Sequence, residues 1–312
     1  MNQSPAPVTS AAPNASLAAL PGQEGPWKRF FRSFFEDRVA VFGLLLLLFI
    51  IITAILAPWI TPQDPYDLAS VDLLDSRIPP GGETMEGFTA WLGTDGVGRD
   101  LYSAILYGLR ISLSVGVLSG VIAATVGMSI GLMAAYMGGK VEAFIMRVVD
   151  LQLSIPTILV ALILVAALGK GVDKIIFALV VVQWAYYART VRGTALVERN
   201  KEYVEAAKSL GLSKTRVVFR HILPNCLAPV IVVLTVQTAH AISLEATLSF
   251  LGVGLPQTEP SLGVLIANGF QYLLSGRYWI SVFPGVALLL TIVSINLVGD
   301  RIRDVLNPRL EK

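Results

Sequence analysis

The sequence predicts an all-α polytopic membrane protein with six transmembrane helices. Three observations predict it. First, 54% of the 312 residues are hydrophobic and 15% are charged, against roughly 25% charged in an average soluble domain. The mean hydropathy of +0.67 agrees, and a soluble chain of this size could not hide that much apolar surface in one core. Second, uncharged runs approaching or exceeding the ~20 residues a helix needs to cross a bilayer recur along the chain. Third, Lys and Arg are distributed unevenly between the connections.

The first span covers residues 38–60, with an apolar core that ends at Pro58. The second lies in the uncharged run Ile111 to Gly139, and the third in Leu151 to Gly169. The fourth, Ile175 to Ala188, is short and borrows Lys174 and Arg189, whose long stems can snorkel. His221 to Leu244 and Tyr278 to Gly299 complete the set. A seventh stretch, Ser261 to Gly276, is short and carries Asn268, Gln271 and several glycines, so it reads as interfacial or re-entrant.

Six spans place both termini on one side. With that side inside, eighteen Lys and Arg face inward and six outward, which orients both ends to the cytoplasm. Residues 1–37 are then an N-terminal tail, flexible over its Ala-, Pro-, Ser- and Asn-rich beginning, and residues 301–312 are a C-terminal tail. Residues 61–103 form an external loop. Residues 104–300 form the core, which contains a strongly basic inner loop at 190–220.

Composition also excludes functions. One cysteine forbids an internal disulfide, and one cysteine with two histidines offers no metal cluster. A net charge of +2 gives no argument for nucleic acid. Neither Gly139-Lys140-Val141 nor Gly169-Lys170-Gly171 fits a phosphate-binding P-loop.

Within the second span, Gly116, Gly120, Gly127 and Gly131 fall on one helix face in two G-x-x-x-G pairs. That spacing lets helix backbones approach closely, within the chain or against a partner subunit. Ionisable residues at membrane depth are expensive and mark function or pairing. Asp150 lies beside Arg147 at the inner end of the third span, which suggests a boundary ion pair. Glu245 follows 24 uncharged residues and should face the bundle interior or a wet cavity, a candidate for the pathway. His240, a little over one turn earlier, could share that face or pack as a neutral side chain.

The inner loop reads NKEYVEAAKSLGLSKTRVVFRHILPN from Asn200 to Asn225. Tyr203, Val204, Ala206, Ala207 and Leu210 recur at helical spacing, while Lys201, Glu202, Glu205 and Lys208 largely take the other face. Asn200 suits an N-cap and Gly211 a left-handed C-terminal cap. Ser213 can cap a second helix running to Leu223, before Pro224.

Glu205-Ala206-Ala207, Gly211 and Leu223-Pro224 resemble the EAA motif of bacterial ABC-import permeases, with His221 where that family usually has Ile. Further strings resemble the same family: Leu92-Gly93-Thr94-Asp95 with Gly98-Arg99-Asp100, Met146 to Asp150, Leu248 to Gly252, Gly299-Asp300 with Arg303-Asp304, and Asn307-Pro308-Arg309. The nearest likeness is to the C-type permease of dipeptide and oligopeptide importers.

The resemblance implies a type I ABC importer fold in the bacterial inner membrane. It implies a second, B-type permease subunit, two ATP-binding subunits of D- and F-type, and a periplasmic substrate-binding protein. ATP and Mg would be used by those partners, with no cofactor on this chain and no catalysis by it. Glu202, Tyr203, Glu205, Ala206, Ala207, Leu210, Gly211, Leu212, Leu223 and Pro224 would couple to an ATPase. Gly93, Thr94, Asp95, Gly98, Arg99 and Asp100 would meet the binding protein. Nickel and other small-solute importers share this permease type. An ion-coupled transporter using Asp150 and Glu245 would often show inverted repeats, and none is visible. A membrane-embedded enzyme would need a catalytic cluster that the spans do not offer.

Overall fold

The computed structural model describes residues 25–67 and 71–306. The first 24 residues of the tail and residues 307–312, with Asn307-Pro308-Arg309, lie outside the described residues.

The apolar runs become helices because only a helix satisfies its own backbone in lipid. In order they are α1 (Pro26–Glu36), α2 (Arg38–Ile60), α3 (Leu101–Met137), α4 (Gly139–Ser154), α5 (Thr157–Leu168), α6 (Val172–Glu198), α7 (Glu202–Ser209), α8 (Lys214–Val217), α9 (Leu223–Phe250), α10 (Leu262–Phe270) and α11 (Trp279–Leu306). A two-stranded antiparallel ribbon, β1 (Gly82–Glu83) and β2 (Thr89–Ala90), pairs Gly82 with Ala90 in the 61–103 loop.

Among the described residues, five helical segments are long and apolar enough to cross a membrane: α2, α3, α6, the unbroken run Lys214–Phe250, and α11. The sixth is not the straight span expected over 151–169. α4 and α5 meet at 90°, and only the pair together makes a span. Pro156 is the cause. It supplies no N–H and drives Ile155 into an extended conformation, with ψ at 135°.

Two stretches read as tails are partly helical. Residues 26–36 form α1, whose Phe34 is buried beside Ala40 and Val298. Asp37 then caps α2, accepting from the backbone N–H groups of Val39 and Ala40 at 2.8 and 3.3 Å. Residues 301–306 continue α11, and Arg301 donates to the Ser33 carbonyl of α1. α2 is apolar all round and leaves Phe42, Leu45, Phe49 and Ile52 exposed, as a lipid-facing helix must.

α3 is the central post, and its glycines decide what packs on it. A methyl group at Gly116 would lie 2.6 Å from Ile242, and one at Gly120 3.1 Å from Leu234, both on α9. At Gly127 and Gly131 it would lie 2.4 Å from the carbonyl oxygens of Trp184 and Ala188 on α6. Both G-x-x-x-G pairs are therefore occupied inside the chain. The 261–276 stretch forms α10, wedged between α9 and α11. Its Gly263 and Gly269 touch the backbones of Ala246 and Ile280-Ser281.

Asp150 bonds to Arg189 on α6, not to Arg147 as its neighbour in sequence suggested. Arg192 Nε donates to Glu142 Oε1 at 2.8 Å. Two ion pairs thus hold α4 along α6.

Candidate functional site

The 198–225 segment is built from two anchored sides and one free face. α7 begins at Glu202 with Lys201 as its N-cap residue, one position beyond the Asn200 expected. It ends in a Schellman arrangement. Gly211 has φ +72°, its N–H donates to Lys208 O at 2.9 Å, and Leu212 N–H donates to Ala207 O at 3.2 Å. Val204 and Ala207 are buried in one cluster with Val191, Ala195, Val217 and Ile222, and Leu212 packs against it. The stripe read from the sequence is thus split. Ala206 and Leu210 turn outward with Glu202 and Glu205, and Leu210 is 80% exposed.

A polar chain fixes the start of α7. Lys201 Nζ and the Tyr203 hydroxyl both donate to the Glu198 carboxylate at 2.6 Å. Asn225 Nδ2 donates to the Tyr203 oxygen at 3.1 Å and to His221 O at 2.8 Å. Arg199 Nη1 donates to Ala135 O at the end of α3, 2.7 Å away. The ends of α3 and α6, the start of α9 and all of α7 are therefore tied together. Burial, then the neighbouring Glu198, push the Tyr203 hydroxyl up to about 12, so it remains a donor at any physiological pH. Tyr203→Phe should remove a hydrogen bond worth about 1–2 kcal/mol. We expect roughly tenfold faster hydrogen exchange in α7, with exchange in α3 unchanged.

The second helix does not stop at Leu223. α8 passes through a π turn, Val218–Ile222, straight into α9. Pro224 has no N–H for the regular ladder, and the wider turn absorbs it. Leu223 N–H reaches Val218 O, and the Asn225 side chain serves His221 O. Leu223 is half-buried and Pro224 exposed.

On the opposite side of the bundle, the six residues expected to contact a binding protein are all buried. Asp95 accepts from Arg99 Nε at 2.8 Å and from the N–H groups of Val97 and Arg99 at 2.9 and 3.0 Å. Arg99 Nη1 reaches Gln257 O at 3.0 Å, in the α9–α10 loop. Thr94 Oγ1 donates to Asp75 O at 2.5 Å, and Asp100 caps α3 by accepting from Ser103 N–H at 2.8 Å. A methyl group on Gly93 would lie 2.6 Å from Ile78 O, and one on Gly98 2.1 Å from Asp72 O. The motif is a self-packed knot that closes the far end of the bundle. Trp91 and Val97, within the stretch itself, reach the surface.

The two pathway candidates are not brought together. Glu245 is wholly buried between α3, α9 and α10. It accepts from Ser112 Oγ at 3.1 Å and Ser249 Oγ at 2.8 Å, which offsets its desolvation. His240 is exposed. It lines a cavity of about 340 Å³ with Thr157, Ser243 and Thr247, beside the break between α4 and α5. A larger groove of about 860 Å³ runs between α6, α9 and α11, with Thr190, Thr194, Asn225, Gln237 and Arg303 among its polar rungs. Sequence reasoning missed this groove and the role of Glu198. The Thr190-x3-Thr194-x3-Glu198 spacing, one helix face of polar groups, was the available signal.

This fold and this loop define a membrane permease of the binding-protein-dependent type. The chain belongs to that family. Residues 127–312 match the family of binding-protein-dependent transport system inner membrane components. Residues 25–80 match the N-terminal transmembrane domain of oligopeptide transport permease C. The chain is 44% identical over 269 residues to a putative peptide transport system permease protein of Brucella suis, covering 86% of this chain and 87% of the relative. It is 38% identical over 288 residues to a di/tripeptide transport system permease protein of Pseudomonas aeruginosa, covering 92% and 93%. With the dipeptide transport system permease protein of Escherichia coli the identity is 39% over 287 residues, covering 92% and 94%. The fold is similar to that of a chain in the inward-facing MetNI methionine ABC transporter. The TM-score is 0.55 at 21% identity, covering 66% of this chain and 98% of that one.

Proposed function

We propose that this chain is the C-type permease subunit of an ATP-driven, binding-protein-dependent importer of dipeptides or oligopeptides. The names of the relatives support the substrate class. The observation that carries the mechanism is the exposed face of α7, Glu202, Glu205, Ala206 and Leu210, on a helix whose other face is bonded to the bundle. A D- or F-type ATPase subunit docks on that face. When two such ATPases close on ATP and Mg, the push on α7 passes through its buried side into α6 and α9 as a rigid-body shift. This chain hydrolyses nothing and binds no cofactor or nucleic acid. A B-type permease covers the 860 Å³ groove and completes the pathway with Thr190, Thr194 and Gln237. The excess of Lys and Arg on the α7 side supports an orientation with both termini in the cytoplasm of a bacterial cell and the chain in its inner membrane. The binding protein then docks in the periplasm over the knot, on Trp91 and Val97.

The test is uptake into proteoliposomes carrying the whole assembly with its binding protein. Labelled dipeptide should accumulate only with ATP inside the compartment that holds α7. Accumulation driven by a pH gradient without ATP would overturn the reading. Leu210→Asp should leave folding within about 0.5 kcal/mol, because the side chain is 80% exposed. Burying a Leu contributes about 1.5–3 kcal/mol, so the variant should co-purify with its ATPase at least tenfold less well.

A further inference from the structure

Behind α7 lies a feature that the function proposed above leaves without a role. A cavity of about 330 Å³ opens between the end of α3, the end of α6, and the turn that joins α7 to α8. Its floor is apolar, from Leu132, Val217 and Ile222. Three cations line it: Arg199, Lys208 and Lys214, and no carboxylate does. Arg199 spends one nitrogen on Ala135 O, while among the described residues neither Lys208 nor Lys214 pairs with an acid. Cations gathered on one wall without a counter-charge repel each other, and an anion between them relieves that repulsion.

The mouth shows what kind of anion fits. Tyr136 and Met137 line it and are 42% and 58% exposed. They continue an exposed apolar face of α3 that also carries Val126 and Met133, on a helix long and apolar enough to cross a membrane. A free phosphate would match the lysines and waste the apolar floor. A phosphate carrying an acyl chain matches both. We propose that this cavity binds the headgroup of an anionic phospholipid from the leaflet on the α7 side, with its first methylenes against Leu132 and Val217. Because α7 supplies one wall and α3 the opposite one, the bound lipid braces the coupling helix against the bundle.

The experiment is native mass spectrometry of the full-length chain, purified in its assembly and titrated with phosphatidylglycerol or with phosphatidylethanolamine of the same acyl chains. The wild type should retain one phosphatidylglycerol in clear preference. Each lysine near anionic lipid is worth about 1 kcal/mol, so Lys208→Gln with Lys214→Gln should weaken retention about 30-fold, to the level of the zwitterionic lipid. Both side chains are exposed, so the double variant should keep its fold. Lys140→Gln with Arg147→Gln, an equal charge change at exposed positions on α4, should keep the preference. Unchanged retention in the lysine variant, equal loss in the α4 variant, or displacement of the lipid by millimolar inorganic phosphate would each overturn the proposal.

Discussion

Gly131→Leu is expected to abolish recovery of folded protein. Among the described residues, the α3–α6 pair is the most extensive helix contact. A methyl group at 131 already lies 2.4 Å from Ala188 O and 3.0 Å from Ala188 Cα. Both obstacles are backbone, so no side chain can rotate away. The helices must separate, and Val191, Tyr187 and Ala195 lose their packing with them. Overpacking a well-filled contact costs about 1–3 kcal/mol or more, and here the cost recurs along the seam. The measurement is the monodisperse fraction after solubilisation, with the thermal midpoint where any remains. Gly193 sits on α6 with open space around it, so Gly193→Ala should be neutral or gain about 0.5–1 kcal/mol. A Gly131→Leu chain as stable as wild type would show that the seam is not what holds α6 in place.

The second large effect is functional. Gly211→Val should cut transport at least tenfold while ATP hydrolysis and membrane insertion persist. The position has φ +72° and no heavy atom within 4 Å of an added methyl. The penalty is therefore one of backbone conformation, about 1–2 kcal/mol for a residue with a Cβ and more for a β-branched one. Two hydrogen bonds close the end of α7 through this residue, and both fail if it leaves the left-handed region. Leu210 would then no longer sit on the exposed face proposed to dock the ATPase, nor Leu212 against the bundle. Gly211→Asn should keep most transport, because Asn tolerates that region. The readout is dipeptide moved per ATP consumed in proteoliposomes. An unaltered ratio in Gly211→Val would remove the turn from the mechanism.

Much of this architecture was readable from residue order. Helix identity follows from uncharged runs and the tight seams from glycine spacing, because both are local consequences of chemistry. What failed has a common cause. Asp95, Arg99 and Asp100 read either as a partner-facing stretch of the external loop or as a self-packed, turn-rich one, and sequence order could not show that they are buried. Burial of a charge depends on who pairs with it, and Gln257 is 158 residues away from Arg99. Likewise Asp150 found Arg189, not the Arg147 near it in sequence. The break at Ile155-Pro156 was visible as a proline but lost in a criterion that counted only charge. The extension of α3 back to Leu101 was hidden by Arg110, which a helix tolerates when the guanidinium rests over an aromatic ring. Here it lies 5.5 Å from the centre of Tyr107.

The unbroken run from Lys214 to Phe250 is 37 residues long. At 1.5 Å per residue it measures about 55 Å. One end carries the turn at Gly211, and the other feeds the loop in which Gln257 receives Arg99. A continuous helix, though widened by the π turn at Val218–Ile222 and carrying Pro229, joins the two ends without a chain of relays. On the function proposed above, the state of a docked ATPase needs no wire through the core to reach the far mouth of the bundle. It would travel as the position of a single strut, and a protein docked at that mouth would register it by touch.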